Sequence, residues 1–220
     1  MFDPVRLRQA SPELLEAARG EPVRAGRGRA WFVQGEYGAA VLRHYRRGGW
    51  IARLVRDRYL WLGEARARSI AEFGLMRRLR ALGLPVPAPL AASYRRRGLL
   101  YRAAILVERV APATAFADRV AGQGLAAPWD RVGSAIGRCH ARGAHHADLN
   151  GHNLLLDGSD AVWLIDWDKG AIEAGPGDWC AAVLDRLERS LRKQCPRLPA
   201  AELGEGMRAL RIAHDRALAA

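Results

Sequence analysis

The chain has 220 residues, half of them hydrophobic, and its 35 Lys and Arg against 23 Asp and Glu give a formal net charge of +12. This length suits one domain or two small lobes, and the charge favours an anionic partner without choosing among nucleic acid, an acidic membrane and a phosphorylated substrate. The three cysteines, Cys139, Cys180 and Cys195, have no CxxC spacing, which argues against a disulfide framework or a zinc site. The first residues lack an apolar signal core and no run of about 18 apolar residues occurs, so the expectation is a cytosolic protein or one attached to the cytosolic side of a membrane.

Residues 1–25 read as an arm with a short helical candidate from Pro12 to Arg19. Trp31-Phe32-Val33 and Ala39-Ala40-Val41-Leu42, joined through Gly35 and Gly38, predict a hairpin at the edge of an antiparallel sheet. Ile70, Phe73, Met76, Leu79 and Leu82 recur every third residue and predict a helix over 64–82, stopped by Gly83-Leu84-Pro85. A second hairpin is expected over Ser93–Val110, turning at Arg95-Arg96-Arg97-Gly98. Ala111-Pro112-Ala113-Thr114 reads as a connector. Trp129, Val132, Ile136 and Cys139 share one helical face. Leu154-Leu155-Leu156 and Val162-Trp163-Leu164-Ile165, separated by a Gly-Ser-Asp turn, predict a third hairpin. From Asp178 onward Trp179, Val183, Leu184, Leu187 and Leu191 are spaced as in a helix. The expectation is an α+β chain: an arm (1–25), a small antiparallel-sheet lobe with one helix (26–110) and a mainly helical lobe (111–220).

The chemistry concentrates in His146-Ala147-Asp148-Leu149-Asn150-Gly151-His152-Asn153 and Leu164-Ile165-Asp166-Trp167-Asp168. A carboxylate, an amide and a second carboxylate stand at the spacing of a phosphoryl-transfer site, with Asp148 to orient an acceptor hydroxyl and Asn153 and Asp166 to hold Mg²⁺ against nucleotide phosphates. The third hairpin would bring Asp148 and Asp166 to one end. A loop aspartate that merely caps a turn would not explain the three residues together. His146 is better read as a brace for this loop than as a chemical group, and His145 and His152 have weaker claims.

His146-x-Asp148-Leu149-x-x-x-Asn153 matches the pattern H-x-D-L-x-x-x-N, and on it the chain resembles the protein-kinase-like superfamily. Arg43-His44-Tyr45-Arg46-Arg47-Gly48-Gly49 and Arg56-Asp57-Arg58-Tyr59-Leu60-Trp61 make it similar, within that superfamily, to the bacterial lipopolysaccharide kinases that act on 3-deoxy-D-manno-octulosonic acid (Kdo). The resemblance implies a protein-kinase-like two-lobed fold with Asp148 as catalytic base. It implies Mg²⁺ on Asp166 and Asn153, because Asp166-Trp167-Asp168 stands where protein kinases carry Asp-Phe-Gly; Asp168 then either adds a ligand or caps the turn. It places Arg43 where the superfamily carries a nucleotide-binding lysine, with Glu72 as its ion-pair partner. The alternative is a surface arginine and a solvated carboxylate. Gly26-x-Gly28 is similar to the start of a phosphate-covering glycine loop, with Trp31 in place of the third glycine, or is an ordinary turn.

The activity implied is ATP-dependent phosphorylation of a Kdo hydroxyl, the 4-hydroxyl, on a Kdo–lipid A precursor. The protein would then lie peripherally on the cytoplasmic side of the inner membrane, with no nucleic acid as partner. Arg43, Arg46, Arg47, Arg53, Arg56 and Arg58, interleaved with Tyr45, Trp50, Tyr59 and Trp61, suit anionic lipid head groups, or form a packed helix with a solvated basic face. Arg186, Arg189, Arg192, Lys193 and Arg197 read as an exposed helix face, with added membrane attraction as the alternative. Competing readings are a heptose kinase of the same fold and a non-catalytic kinase-like module that binds nucleic acid or lipid.

Overall fold

The computed structural model describes residues 1–4, 21–22, 30–45 and 59–220, and the helical candidate at Pro12–Arg19, Gly26, Gly28 and most of the arginine-aromatic stretch lie outside them. The chain divides into two compact units, Met1–Arg77 with Pro87–Arg109, and Arg78–Val86 with Val110–Ala220.

The first unit is built on an antiparallel sheet of β1 (Glu21–Pro22), β2 (Ala30–Gly35), β3 (Gly38–His44), β4 (Tyr59–Leu60), β5 (Pro89–Arg97) and β6 (Leu100–Glu108). β2 and β3 form the first predicted hairpin, with Trp31 opposite Leu42 and Gly35 opposite Gly38. Its far strand is interior, since β3 pairs on with β6, which also pairs with β4 and β5. Alternation sends Val33, Ala40 and Leu42 into a core completed by Ala88, Leu90, Ala91, Ala104 and Leu106, and turns Arg43 to the opposite face of its strand. The second hairpin turns later than its sequence suggests. Arg95, Arg96 and Arg97 are paired strand residues and the turn falls at Gly98, where φ is 60°. Arg96 and Arg97 are exposed at this end of the strand, and the Arg96 guanidinium sits over the Trp61 ring. The Met1 ammonium donates to the Ala92 carbonyl and Asp3 N–H to that of Leu90, so the first residues run along the free edge of β5.

Helix α1 spans Arg68–Ala81 after a 3₁₀ turn at Glu64–Arg66. Ile70, Phe73, Met76 and Leu79 are buried as their spacing predicts, whereas Leu82 lies past the helix end and is exposed. Gly83 at φ 72° makes the stop: its N–H donates to Arg80 and that of Leu84 to Leu79, satisfying the last carbonyls.

In the second unit β7 (Ala113–Ala115), β9 (Leu154–Asp157) and β10 (Val162–Leu164) form a three-stranded sheet. β9 and β10 are the third predicted hairpin. Its turn is fastened by the Asp157 carboxylate, which accepts hydrogen bonds from Trp163 Nε1 (2.9 Å), Ser159 Oγ (2.7 Å) and the Ser159 and Ala161 amides. These donors, Trp163 foremost, hold its pKa at about 2. Ala113–Ala115, which reads as connector, is instead a strand on β9, because its backbone groups complete the open edge of that hairpin.

The helices of this unit are α2 (Phe116–Gln123), α3 (Trp129–Ala141), α4 (Asp178–Gln194) and α5 (Ala200–Ala219). Trp129, Val132, Ile136 and Cys139 of α3 are buried, as are Val183, Leu184, Leu187 and Leu191 of α4. All three cysteines are buried thiols, and burial pushes that of Cys139 up to about 12. Glycine lets α3 and α5 touch backbone to backbone: a Cβ on Gly133 would lie 2.1 Å from the Leu210 carbonyl oxygen and one on Gly137 2.4 Å from that of His214. In the same interface His140 Nδ1 lies 2.9 Å from His214 Nε2.

Gly133→Ala should therefore force the two helices apart and cost about 1–3 kcal/mol. Gly204→Ala on α5, where no atom lies within 4 Å of the added carbon, should instead stabilise by up to about 1 kcal/mol through helix propensity. Urea unfolding of the two variants should give shifts of opposite sign; a neutral Gly133→Ala would contradict the close helix contact.

Candidate active site

The segment that carries Asp148, Asn153 and Asp166 is fastened at both ends. β8 (Ala144–His145) leads into it and pairs with β11 (Ala171–Ile172), so the chain entering at His146 is tied to the chain leaving Asp168. Gly143, at φ 69°, crosses against the Glu173 carbonyl where a side chain would clash, and Glu173 N–H donates back to Gly143. Gly151 is similarly constrained, because a Cβ there would lie 2.5 to 2.9 Å from Gln194, Leu191 and Ala117. The loop thus lies directly on α2 and α4, with Ala117 N–H donating to the Gly151 carbonyl.

His146 joins the two halves of the site. It is 2% exposed, its Nε2–H donates to the Ile165 carbonyl at 2.8 Å, and its Nδ1 accepts the Asp148 N–H at 3.3 Å. Only the neutral imidazole with its proton on Nε2 makes both bonds. Burial lowers its pKa, outweighing the opposing hydrogen bond to Ile165 and the nearby Asp166 and Asp148 carboxylates. The ring lies against Trp167, centroids 4.7 Å apart. Trp167 is fully buried with its indole N–H on the Leu164 carbonyl, so the tryptophan of Asp-Trp-Asp is a structural wedge.

Asp148 has an exposed side chain that forms an ion pair with Arg186 of α4. Its carbonyl accepts Nδ2–H from both Asn150 and Asn153 at 3.0 Å. That bond commits the Asn153 nitrogen and leaves Oδ1 as the atom it can offer a cation. Asn153 also accepts the Ile165 N–H through its carbonyl at 3.0 Å, which sets it beside the residue preceding Asp166. Asp166 adopts φ 63°, a left-handed conformation uncommon outside glycine, which aspartate tolerates better than most residues. Asp148, Asn153 and Asp166 are therefore gathered around one histidine in the second unit. Asp166 and Asn153 supply the hard oxygen donors that Mg²⁺ prefers, and two protein ligands suffice for an ion completed by water and phosphate. Among the described residues no group of three or more His, Cys, Asp or Glu forms a ready-made metal cage.

In the first unit, Arg43 on β3 donates from Nη2 to both carboxylate oxygens of Glu72 on α1 at 2.5 Å. The Glu72 side chain is 2% exposed, and Tyr45 donates its hydroxyl to the same carboxylate. Burial, then Glu72, raise the Tyr45 pKa well above its ordinary value, so it stays a donor. The tyrosine lies two positions along from Arg43, and the Arg43 and Arg68 guanidiniums approach its ring at 5.2 and 5.4 Å. Sequence reading sets Tyr45 in a lipid-facing or packed helical stretch and Arg186 on an exposed helix face. The structure buries Tyr45 on Glu72 and pairs the exposed Arg186 with Asp148, a contact that only the i, i+4 spacing of Arg186, Ser190 and Gln194 on α4 could have suggested. Gly26 and Gly28 lie outside the described residues.

A small antiparallel sheet whose Arg43 pairs with a buried glutamate on the adjoining helix, and a helical unit whose loop sets Asp, Asn and Asp about a bracing histidine, define the protein-kinase-like class. Residues 14–206 match the lipopolysaccharide kinase (Kdo/WaaP) family model, and the chain belongs to that family. It is 50% identical over 198 residues to a protein of Stenotrophomonas maltophilia (strain R551-3) named 3-deoxy-D-manno-octulosonic acid kinase, covering 88% of this chain and 80% of the relative. A protein of the same name from Xylella fastidiosa (strain M12) matches at the same identity and coverage. A solved structure of WaaP in complex with acyl carrier protein aligns with a TM-score of 0.57 at 18% identity, covering 98% of this chain and 94% of that one. That likeness establishes the fold.

The histidine brace carries a pH signature. His146 is held neutral by burial, and burial with His214 nearby takes the His140 pKa to about 3. The unfolded chain titrates these groups near 6.5 and so binds more protons below that value. Stability should be complete above about pH 6.5 and fall as pH drops toward the folded-state values, by up to about 1.4 kcal/mol per pH unit for each histidine. Urea midpoints between pH 7.5 and 5 measure this, and a flat profile would exclude it.

Proposed function

We propose that this protein transfers the γ-phosphoryl group of ATP to the 4-hydroxyl of a Kdo residue on a Kdo–lipid A precursor. The observation that carries the reading is the braced loop holding Asp148, Asn153 and Asp166 together, in a chain half-identical to proteins named for phosphorylating this sugar acid. Asp148 orients the acceptor hydroxyl and accepts its proton as the oxygen attacks phosphorus. Asn153 and Asp166 would hold Mg²⁺, which when bound neutralises charge on the nucleotide phosphates. Arg43, kept in place by Glu72 and Tyr45, anchors the nucleotide from the sheet; a guanidinium offers phosphate a planar fork where a lysine would offer a point charge.

The acceptor also gives the basic balance a purpose. A glycolipid bearing carboxylate and phosphate groups is drawn to a chain of net charge +12. No described helix is long and apolar enough to cross a membrane. Peripheral attachment to the cytoplasmic face of the inner membrane is the arrangement that brings a protein with this charge to a lipid-anchored acceptor.

Purified protein with Mg²⁺, radiolabelled ATP and Kdo–lipid A precursor should yield labelled lipid, with the new phosphate located at the 4-position by NMR. Asp148→Ala should remain folded and lose at least about 100-fold in rate; a variant as active as wild type would remove the base from the mechanism. Labelling of a heptose-bearing acceptor alone would move the reading to that sugar.

Arg43→Lys keeps a cation beside the buried Glu72 but loses the fork. It should raise KM for ATP several-fold more than KM for the acceptor, and the reverse split in steady-state kinetics would reassign Arg43 to the lipid.

A further inference from the structure

One edge of α4 lies along the catalytic loop and carries cations that the transfer described above does not use. Arg186, Ser190 and Gln194, spaced four apart, meet three points of the loop: Arg186 pairs with Asp148, Ser190 Oγ accepts the Gly151 N–H at 3.3 Å, and Gln194 Nε2 donates to Asn150 Oδ1 at 3.5 Å. At about 100° per residue, Arg189 and Lys193 fall within roughly 60° of Arg186 around the helix. Both are exposed, and neither has an ion-pair partner among the described residues.

The contact at Asp148 leaves room for a second anion. The Arg186 and Asp148 side chains are 48% and 56% exposed, and they meet through Nη2 and Oδ1. A guanidinium has five N–H donors in a planar fork, so most of its capacity remains for another carboxylate. An ion pair this exposed is worth at most about 1 kcal/mol, so Arg186 can share itself with an incoming anion at little cost. The hydroxyl to be phosphorylated must come within hydrogen-bond reach of Asp148. A sugar acid presenting that hydroxyl carries its carboxylate on the same ring, a few ångströms away. The guanidinium already touching Asp148 is within the span of such a ring.

We propose that Arg186 binds the carboxylate of the acceptor sugar acid beside the catalytic aspartate, with Arg189 and Lys193 extending the anion subsite along α4. The assignment rests on the Kdo-kinase reading. Under it, Arg186 is a specificity residue: an acidic sugar answers its charge, whereas a neutral sugar leaves the fork facing only Asp148 and water.

The test pairs a change in the protein with a change in the acceptor. Kdo–lipid A precursor and its analogue with the Kdo carboxylate converted to a primary amide are compared with wild type, Arg186→Ala and Arg186→Lys. Wild type should favour the acid at least about tenfold in kcat/KM, as expected for a charge-assisted hydrogen-bonded pair. Arg186→Ala, whose exposed side chain contributes little to folding, should lose at least about tenfold on the acid and treat the two acceptors within about threefold of each other. Arg186→Lys should restore part of the preference. If alanine lowers both acceptors equally and the preference for acid persists, Arg186 merely positions Asp148 and the proposal is overturned. It is overturned equally if wild type does not distinguish the acceptors. If Arg186→Ala is inactive on both, an undiminished preference in Arg186→Lys overturns it and a reduced one supports it. Failure of wild type to label either Kdo acceptor, while labelling another sugar, would instead count against the Kdo reading itself.

Discussion

A neutral imidazole is the constraint on which the candidate active site depends. His146 donates to the Ile165 carbonyl and accepts from the Asp148 amide, and both bonds exist together only in the uncharged Nε2–H form. The ring thereby ties the backbone at Asp148 to the last residue before Asp166, segments about 20 positions apart in the chain, and keeps the two carboxylate-bearing stretches in register. Burial, to which the Trp167 ring contributes, favours the neutral imidazole beside two carboxylates that act in the opposite direction. The wedge in Asp-Trp-Asp therefore bears on the protonation state of its neighbour as well as on the packing.

The loop held by this ring rests on helices brought close by missing side chains. Gly151 allows α2 and α4 to touch the loop backbone, and Gly133 and Gly137 allow α3 and α5 to meet carbonyl against Cα. Such contacts leave no slack for rotation or sliding, because any shift either opens a void or drives backbone atoms together. The exposed carboxylate of Asp148 thus projects from a closely packed loop, an arrangement that keeps a side chain oriented without enclosing it.

Much of this was legible in the sequence wherever a local pattern carried the signal. Threefold spacing of Ile70, Phe73, Met76 and Leu79 gave α1, and Gly83 gave its end; the Asp148, Asn153 and Asp166 spacing gave the site, and the intervening hairpin explained how its parts meet. What escaped depended on partners distant in the chain. Ala113–Ala115 is a strand only because β9 offers an open edge, and Arg95–Arg97 continue a strand only because β6 lies beside them. Arg186 looks like any exposed helix arginine until α4 is laid along the loop. The buried Glu72 is the opposite case: family resemblance named it as the partner of Arg43, but nothing local announced that Tyr45 would share the same carboxylate.

The cysteines have a practical consequence. All three thiols are buried, and the one at Cys139 is further disarmed by a pKa near 12. Thiol-directed reagents act on exposed thiolates, so the folded chain is slow to react with them. A single cysteine placed at an exposed position such as Glu205 on α5 would be the one accessible thiol, and a fluorophore or spin label attached there would report on the molecule without first stripping its native sulfur.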